Sequence, residues 1–144
     1  MNILDKIFGG NVLYYPGCLT KFVAKDLHEN YKKILSNIGI EFIELKDKEV
    51  CCGSPALNAG SFQTFKSLAR KNFEVFKEHR VKKILFSCPA CYKTFSQDYK
   101  ELFGMNWNIE CEYILVTILK AIEEGKLKVK KRFKEKVTFH DPCY

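Results

Sequence analysis

Seven cysteines stand out in this chain of 144 residues: Cys18, Cys51, Cys52, Cys88, Cys91, Cys111 and Cys143. The count is odd. The stretch from Met1 to Tyr15 holds one basic residue, an early Asp5 and no small-residue cleavage site, so it does not read as a secretion signal. The expected address is therefore the cytoplasm, where a disulfide framework is disfavoured and clustered thiols point to metal or redox chemistry. The longest apolar run, near Tyr113–Leu119, falls far short of the ~20 residues of a membrane span.

The residues around the thiols favour thiolates and close backbone approach. Cys88 and Cys91 belong to Ser-Cys-Pro-Ala-Cys, with Pro89 suited to a first helical turn. A helix start lowers a thiol's pKa through its free N–H groups and dipole, and Cys18 precedes a helical pattern in the same way. Gly17 and Gly53 flank the thiols, which lets the backbone approach a bulky ligand and donate N–H bonds to sulfur. They are the candidate cofactor-shaping positions.

Those thiols need elements to hold them, and the hydrophobic pattern supplies a set. Residues 11–15 (Asn-Val-Leu-Tyr-Tyr) read as a strand ended by Pro16-Gly17. A helix is expected over 20–37, with Phe22, Val23, Leu27, Tyr31, Ile34 and Leu35 as its apolar stripe and Gly39 as its stop. Residues 40–45 read as a second strand and 61–78 as a long helix. Ile84-Leu85-Phe86, within a third strand at 81–87, has the two-sided burial of a parallel strand. A helix over 90–103, a strand at 109–113, a helix at 115–124 closed by Gly125, and a final strand starting at 137–139 complete the layout. Such alternation implies an α/β fold: a mostly parallel open sheet with flanking helices, joined by right-handed crossovers. The twelve Phe residues read as the core that glues helices to sheet rather than as a cofactor stack.

On this layout the cysteines sit at the C-terminal edge of the strands. Cys18 follows the first strand, Cys51 and Cys52 lie beyond the second, Cys88 and Cys91 follow the third, and Cys143 follows the last. Ligands of open parallel sheets bind in the crevice at that edge. Cys18, Cys51, Cys52, Cys88 and Cys91 make five candidate metal ligands, one more than a tetrahedral zinc or a cubane cluster takes. Adjacent thiols such as Cys51 and Cys52 diverge, and both serve one centre more easily when that centre has several metal positions. An iron–sulfur cluster is favoured on this count over zinc, which remains the alternative as a redox-inactive interaction module. Thioredoxin-like exchange at Cys88-Pro-Ala-Cys91 is a third reading, but it leaves three thiols unexplained.

The spacing resembles one known family. There are 32 residues between Cys18 and Cys51, 35 between Cys52 and Cys88, and two between Cys88 and Cys91. With Tyr15-Pro16-Gly17-Cys18, Cys51-Cys52-Gly53-Ser54-Pro55 and Ser87-Cys88-Pro89-Ala90-Cys91-Tyr92, this resembles the cysteine-rich CCG domain. That domain occurs in heterodisulfide reductase B and D subunits and in iron–sulfur subunits of glycolate, lactate and anaerobic glycerol-3-phosphate oxidising complexes. The resemblance implies a 4Fe–4S cluster, non-cubane in the heterodisulfide reductase B relatives, held through these five cysteines. It also implies electron transfer with redox partner subunits of a larger complex, with any membrane association made through those partners. Zinc has been associated with one half in some members.

Members of that family usually carry two such domains in tandem. Residues 1–10 are then an N-terminal extension, 11–136 one CCG domain, and 137–144 (Val-Thr-Phe-His-Asp-Pro-Cys-Tyr) the opening of a second, truncated one. Cys143 would be the first ligand of that absent set. No catalytic residue is assigned. Whether the chain is an enzyme by itself stays open on the sequence.

Other residues carry plainer expectations. Cys111 reads as a core thiol, His28 and His79 as solvated helix residues, and His140 and Asp141 as turn formers before Pro142. The net charge of +7 comes from 21 Lys and 3 Arg, with seven basic residues between Lys126 and Lys136. Scattered Lys without stacked aromatics does not suit a nucleic-acid groove. The dense run reads as a solvated face, and second as a dock for an acidic partner protein.

Overall fold

The computed structural model describes residues 9–131 and 133–140. Three strands form the sheet: β1 (Asn11–Tyr15), β2 (Val81–Phe86) and β3 (Glu110–Tyr113), all parallel in the order β1-β2-β3. The register sets Leu13, Tyr14 and Tyr15 beside Ile84, Leu85 and Phe86, and sets Ile84 and Phe86 beside Cys111 and Tyr113. The α/β expectation holds.

Strand alternation sends side chains to opposite faces, and both faces are covered. Leu13, Tyr15, Ile84 and Phe86 enter one core with Phe65, Ala69, Phe73, Phe76, Phe95, Tyr99 and Trp107. Tyr14 and Leu85 enter the other with Leu35 and Ile114. The first core is glued by α4 (Phe62–Glu78) and the helical segment from α5 (Pro89–Lys93) to α6 (Tyr99–Phe103). The second is covered by α2 (Lys25–Asn37) and α7 (Ile114–Glu123). Phe65, Phe73, Phe76, Phe86 and Phe95 are thus core, as expected, but Phe22, Phe62, Phe133 and Phe139 are exposed and do not join it.

Four expectations change. The helix expected over 20–37 is two helices, α1 (Cys18–Phe22) and α2, broken at Val23 and Ala24. The Leu19 carbonyl accepts both the Val23 and Ala24 N–H groups, at 3.0 Å each, which closes α1 after little more than one turn. Phe22 and Val23 consequently leave the inward stripe and are exposed.

The strand expected at 40–45 is reduced to one bridge. Ile43 lies parallel to Leu13, donating its N–H to Val12 O and accepting from Tyr14 N. Its apolar residues reflect packing instead, with Phe42 edge-on to Tyr14 and Leu45 in the core. An edge position offers one neighbour only, and Lys46, at φ 49°, turns the chain away.

The helix over 90–103 is interrupted by a π-helical turn at Thr94–Asp98. Finally, residues 137–139 form no strand, and Val137 and Phe139 are exposed. One short helix went unread, α3 (Ser54–Asn58), which starts after Gly53 with Pro55 in its first turn.

With Ile43 on the outer side of β1, the spatial order runs from residue 43 through β1 and β2 to β3. The chain leaves β1 toward one edge and leaves β2 toward the other. The carboxyl ends of β1 and β2 therefore frame the switch point where open α/β sheets bind ligands.

Candidate metal centre

Three chain segments meet at that switch point. The β1–α1 turn brings Gly17 and Cys18, the loop before α3 brings Cys51, Cys52 and Gly53, and the turn from β2 into α5 brings Cys88 and Cys91. Ser87 ties the first to the third. Its hydroxyl donates to the Pro16 carbonyl (2.9 Å) and lies 3.2 Å from the Tyr14 hydroxyl.

The thiols form a continuous chain of neighbours. Cys91 bridges two others: its Sγ lies 3.4 Å from Cys52 Sγ, and it also hydrogen-bonds Cys88. Cys52 in turn contacts Cys51, and Cys18 lies on the Cys51 side of the set. Cys52 and Cys91 are buried, Cys88 is half-buried, and Cys18 and Cys51 are exposed. The set thus runs from the interior to the surface. Among the described residues, no three Cys, His, Asp or Glu side chains close on a single ion-sized point.

Gly17 sits against the third segment with φ 76° and ψ 161°. A Cβ there would lie 2.8 Å from Cys88 Cβ and 3.2 Å from Cys91 Sγ. Only the missing side chain allows this approach. Gly53, at φ 89°, donates its N–H to Cys51 Sγ (3.4 Å) and packs so tightly on Phe65 that a Cβ would meet Cδ2 at 2.8 Å.

The local electrostatics divide the thiols. The Cys88 thiol is lowered to about 6 by the Cys91 hydrogen bond and the backbone N–H groups of Cys91 and Ala90 at the start of α5. Cys52 is lowered too, by the Cys91 thiol, with help from the Ser54 N–H. Cys91 is pushed strongly up, because it donates toward both of these neighbours and is buried between their charges. Burial raises Cys51 in spite of the Gly53 N–H. An all-sulfur donor set, with the Cys88 thiol lowered to about 6, suits soft metal centres, both zinc and iron–sulfur clusters.

The remaining candidates lie elsewhere. Cys111 is half-buried on β3 with its thiol pushed up to about 12 by burial. His28 differs from the solvated residue expected: it lies 2.9 Å from Glu44 Oε1 and stacks on Tyr14 at 5.4 Å. His79 is half-buried, with Nδ1 2.9 Å from the Val75 carbonyl. His140 is exposed, and Asp141 and Cys143 lie outside the described residues. A cleft of about 430 Å³ lined by Phe76, Lys77, Arg80 and Asn108 opens at the other end of the sheet, away from the thiols.

Sequence reasoning missed the buried polar groups behind the site. Asn72, on α4, and Tyr99, on α6, are fully buried and hydrogen-bond the loop of residues 50–52. A lone Asn among the apolar positions of the 62–78 helix was the available signal.

The geometry defines a class: a parallel α/β domain whose switch-point crevice is lined by thiols from three loops. The chain belongs to the CCG cysteine-rich domain family, whose model matches residues 12–96 and so takes in all five of these cysteines. It is 31% identical, over its whole length, to the D subunit of the dihydromethanophenazine:CoB–CoM heterodisulfide reductase of Methanosarcina acetivorans, covering 35% of that protein. It is 33% identical over 92% of its length to the EtfAB:quinone oxidoreductase of Syntrophomonas wolfei (18% of that protein). A third relative, the B subunit of the CoM/CoB fumarate reductase of Methanothermobacter marburgensis, is 26% identical over 94% of the chain and is covered for 26%. The chain thus spans about a third or less of these relatives. No solved structure matches it. No helix among the described residues is long and apolar enough to cross a membrane.

Proposed function

We propose that the chain holds an iron–sulfur cluster through Cys18, Cys51, Cys52, Cys88 and Cys91, and exchanges single electrons with partner subunits of a larger oxidoreductase complex. The observation that carries this reading is the convergence of five thiols from three segments on one sheet edge, with Cys91 between Cys52 and Cys88. The names of the relatives, all oxidoreductases or their subunits, agree with it. The cluster is a 4Fe–4S group, and the resemblance to the heterodisulfide reductase B relatives implies the non-cubane type. We take residues 137–144 as the first segment of a further domain of the same kind.

When bound, such a cluster supplies reversible one-electron chemistry. The chain's own residues do the rest. Cys52 and Cys88 are predisposed to the thiolate form that metal binding requires. Gly17 gives the third segment room, and the Gly53 N–H is placed to donate to ligand sulfur. Phe65, Phe95 and Tyr15 keep water from the inner side, while the exposed Cys18 and Cys51 mark the side open to a partner.

The test is iron, acid-labile sulfide and zinc content of protein purified without oxygen, with visible and EPR spectra. About four irons and four sulfides per chain are expected, and Cys52→Ser or Cys88→Ser should bleach the protein. One zinc without sulfide would replace the electron-transfer reading with a zinc-stabilised module.

A further inference from the structure

The loop of residues 50–52 carries two of the five thiols, yet it belongs to no helix or strand. Buried backbone groups must still find partners, and here side chains supply them. Asn72 Oδ1 accepts the Val50 N–H (3.0 Å), and Asn72 Nδ2 donates toward the carbonyls of Val50 (3.3 Å) and Cys51 (3.1 Å). The same amide nitrogen reaches the Tyr99 hydroxyl (3.1 Å), which donates its own proton to the Cys52 carbonyl (3.1 Å). The Tyr15 hydroxyl donates to Val50 O at 2.7 Å. Three consecutive carbonyls are thus held from α4, α6 and β1.

Both Asn72 and Tyr99 are fully buried. An apolar side chain in place of Asn72 would leave the Val50 N–H and the Val50 and Cys51 carbonyls without this partner, so Asn72 serves stability as well as geometry. What a fully satisfied polar cluster adds is one defined geometry. Here the defined quantity is the orientation of the Cys51–Cys52 pair. Cys52 turns inward to Cys91 and is 5% exposed, while Cys51 turns outward to the side of Cys18. The π-helical turn at Thr94–Asp98 immediately precedes Tyr99, a kind of helix irregularity often found beside functional sites.

We infer that Asn72 and Tyr99 are positioning residues: by holding the Val50, Cys51 and Cys52 carbonyls they split the adjacent thiols between an inner and an outer ligand position. Their purpose rests on the metal-binding reading above, but the division of the thiols is a property of the protein without metal. It can be measured there, so the two can fail separately.

The experiment alkylates reduced, metal-free full chain with iodoacetamide under argon and follows Cys51, Cys52 and Cys111 by fragmentation mass spectrometry. Cys111 reports global opening. The parent chain should modify Cys51 well ahead of Cys52. Tyr99→Phe removes one hydroxyl from an otherwise intact ring. It should speed Cys52 relative to Cys111 by at least about fivefold, the factor carried by one hydrogen bond of ordinary net strength. Asn72→Ser should do so by more and narrow the Cys51-to-Cys52 ratio. A merely structural role would raise all three rates together. Unchanged ratios in folded Tyr99→Phe would overturn the inference, and that variant decides the matter if Asn72→Ser does not fold.

Discussion

Replacing Gly17 by alanine tests the central packing of the site. At φ 76° and ψ 161° the backbone occupies a region that is essentially open to glycine alone, and placing an L-residue there costs about 1–3 kcal/mol. The new methyl would also stand 2.8 Å from Cys88 Cβ and 3.2 Å from Cys91 Sγ. Overpacking of that kind adds about 1–3 kcal/mol. The sum is about 2–6 kcal/mol against a domain stability of about 5–15 kcal/mol. At about 3 °C per kcal/mol for a chain this long, the metal-free protein should melt roughly 6–18 °C lower.

Gly39→Ala is the control. Gly39 also has positive φ, 79°, but nothing lies within 4 Å of its Cβ position. The assay is thermal unfolding by circular dichroism of both metal-free variants, followed by iron uptake under argon. Gly17→Ala should lose more stability than Gly39→Ala and should also lose uptake, because Cys88 and Cys91 must move apart from the first segment. Equal melting shifts for the two variants, with uptake retained, would refute the reasoning that Gly17 exists to admit the third segment.

Other expectations follow from the electrostatics and the loop ties. In metal-free protein, alkylation of Cys88 should rise with pH through an inflection near 6, while Cys111, pushed up to about 12, stays inert at neutral pH; similar rates for both at pH 7 would contradict the assigned thiolate. Burial pushes the Glu112 carboxyl up, but hydrogen bonds from Thr117, Lys83 and Lys120 outweigh it and hold it at about 2. Its folded pKa lies below the ordinary 4.5, so its contribution is present above 4.5 and is lost as pH falls toward 2. Glu112→Gln should therefore cost about 1 kcal/mol at pH 7, allowing for solvent screening, and the gap in urea unfolding should close on acidification. Ser87→Ala removes the hydroxyl joining the first and third segments and should cost about 1–2 kcal/mol in the same assay. A neutral result would mean that water replaces it.

The parts of the fold legible in the sequence are those set by strong periodicity over a buried face. The 62–78 helix, with its Phe stripe, was expected almost to the residue. The Ile84-Leu85-Phe86 run announced burial on both sides, and the structure sends Ile84 and Phe86 to one core and Leu85 to the other. Where tertiary context decides, the reading failed. Nothing in Phe22-Val23-Ala24 signals a helix break, because the break comes from one carbonyl accepting two N–H groups. The apolar residues at 40–45 read as a strand, but packing on Tyr14 and an edge position account for them without a ladder.

The site divides along the same line. Its ligand candidates were visible because chemistry restricts residue type: cysteine alone provides a thiolate donor, and glycine alone tolerates the backbone at Gly17. Its supports were hidden, because the roles of Asn72, Tyr99 and Ser87 exist only once loops far apart in sequence meet. Asn72 lies more than 20 residues from the carbonyls it holds, and Tyr99 lies 47 from Cys52. Long-range contacts of this sort leave one trace in a sequence, a polar residue at an inward position of an amphipathic helix. Asn72 sits on the buried stripe with Phe65, Ala69, Phe73 and Phe76. An amide placed there is costly unless it has partners, so its presence in the sequence already implies a polar backbone segment packed against that helix. The segment is the one that carries Cys51 and Cys52.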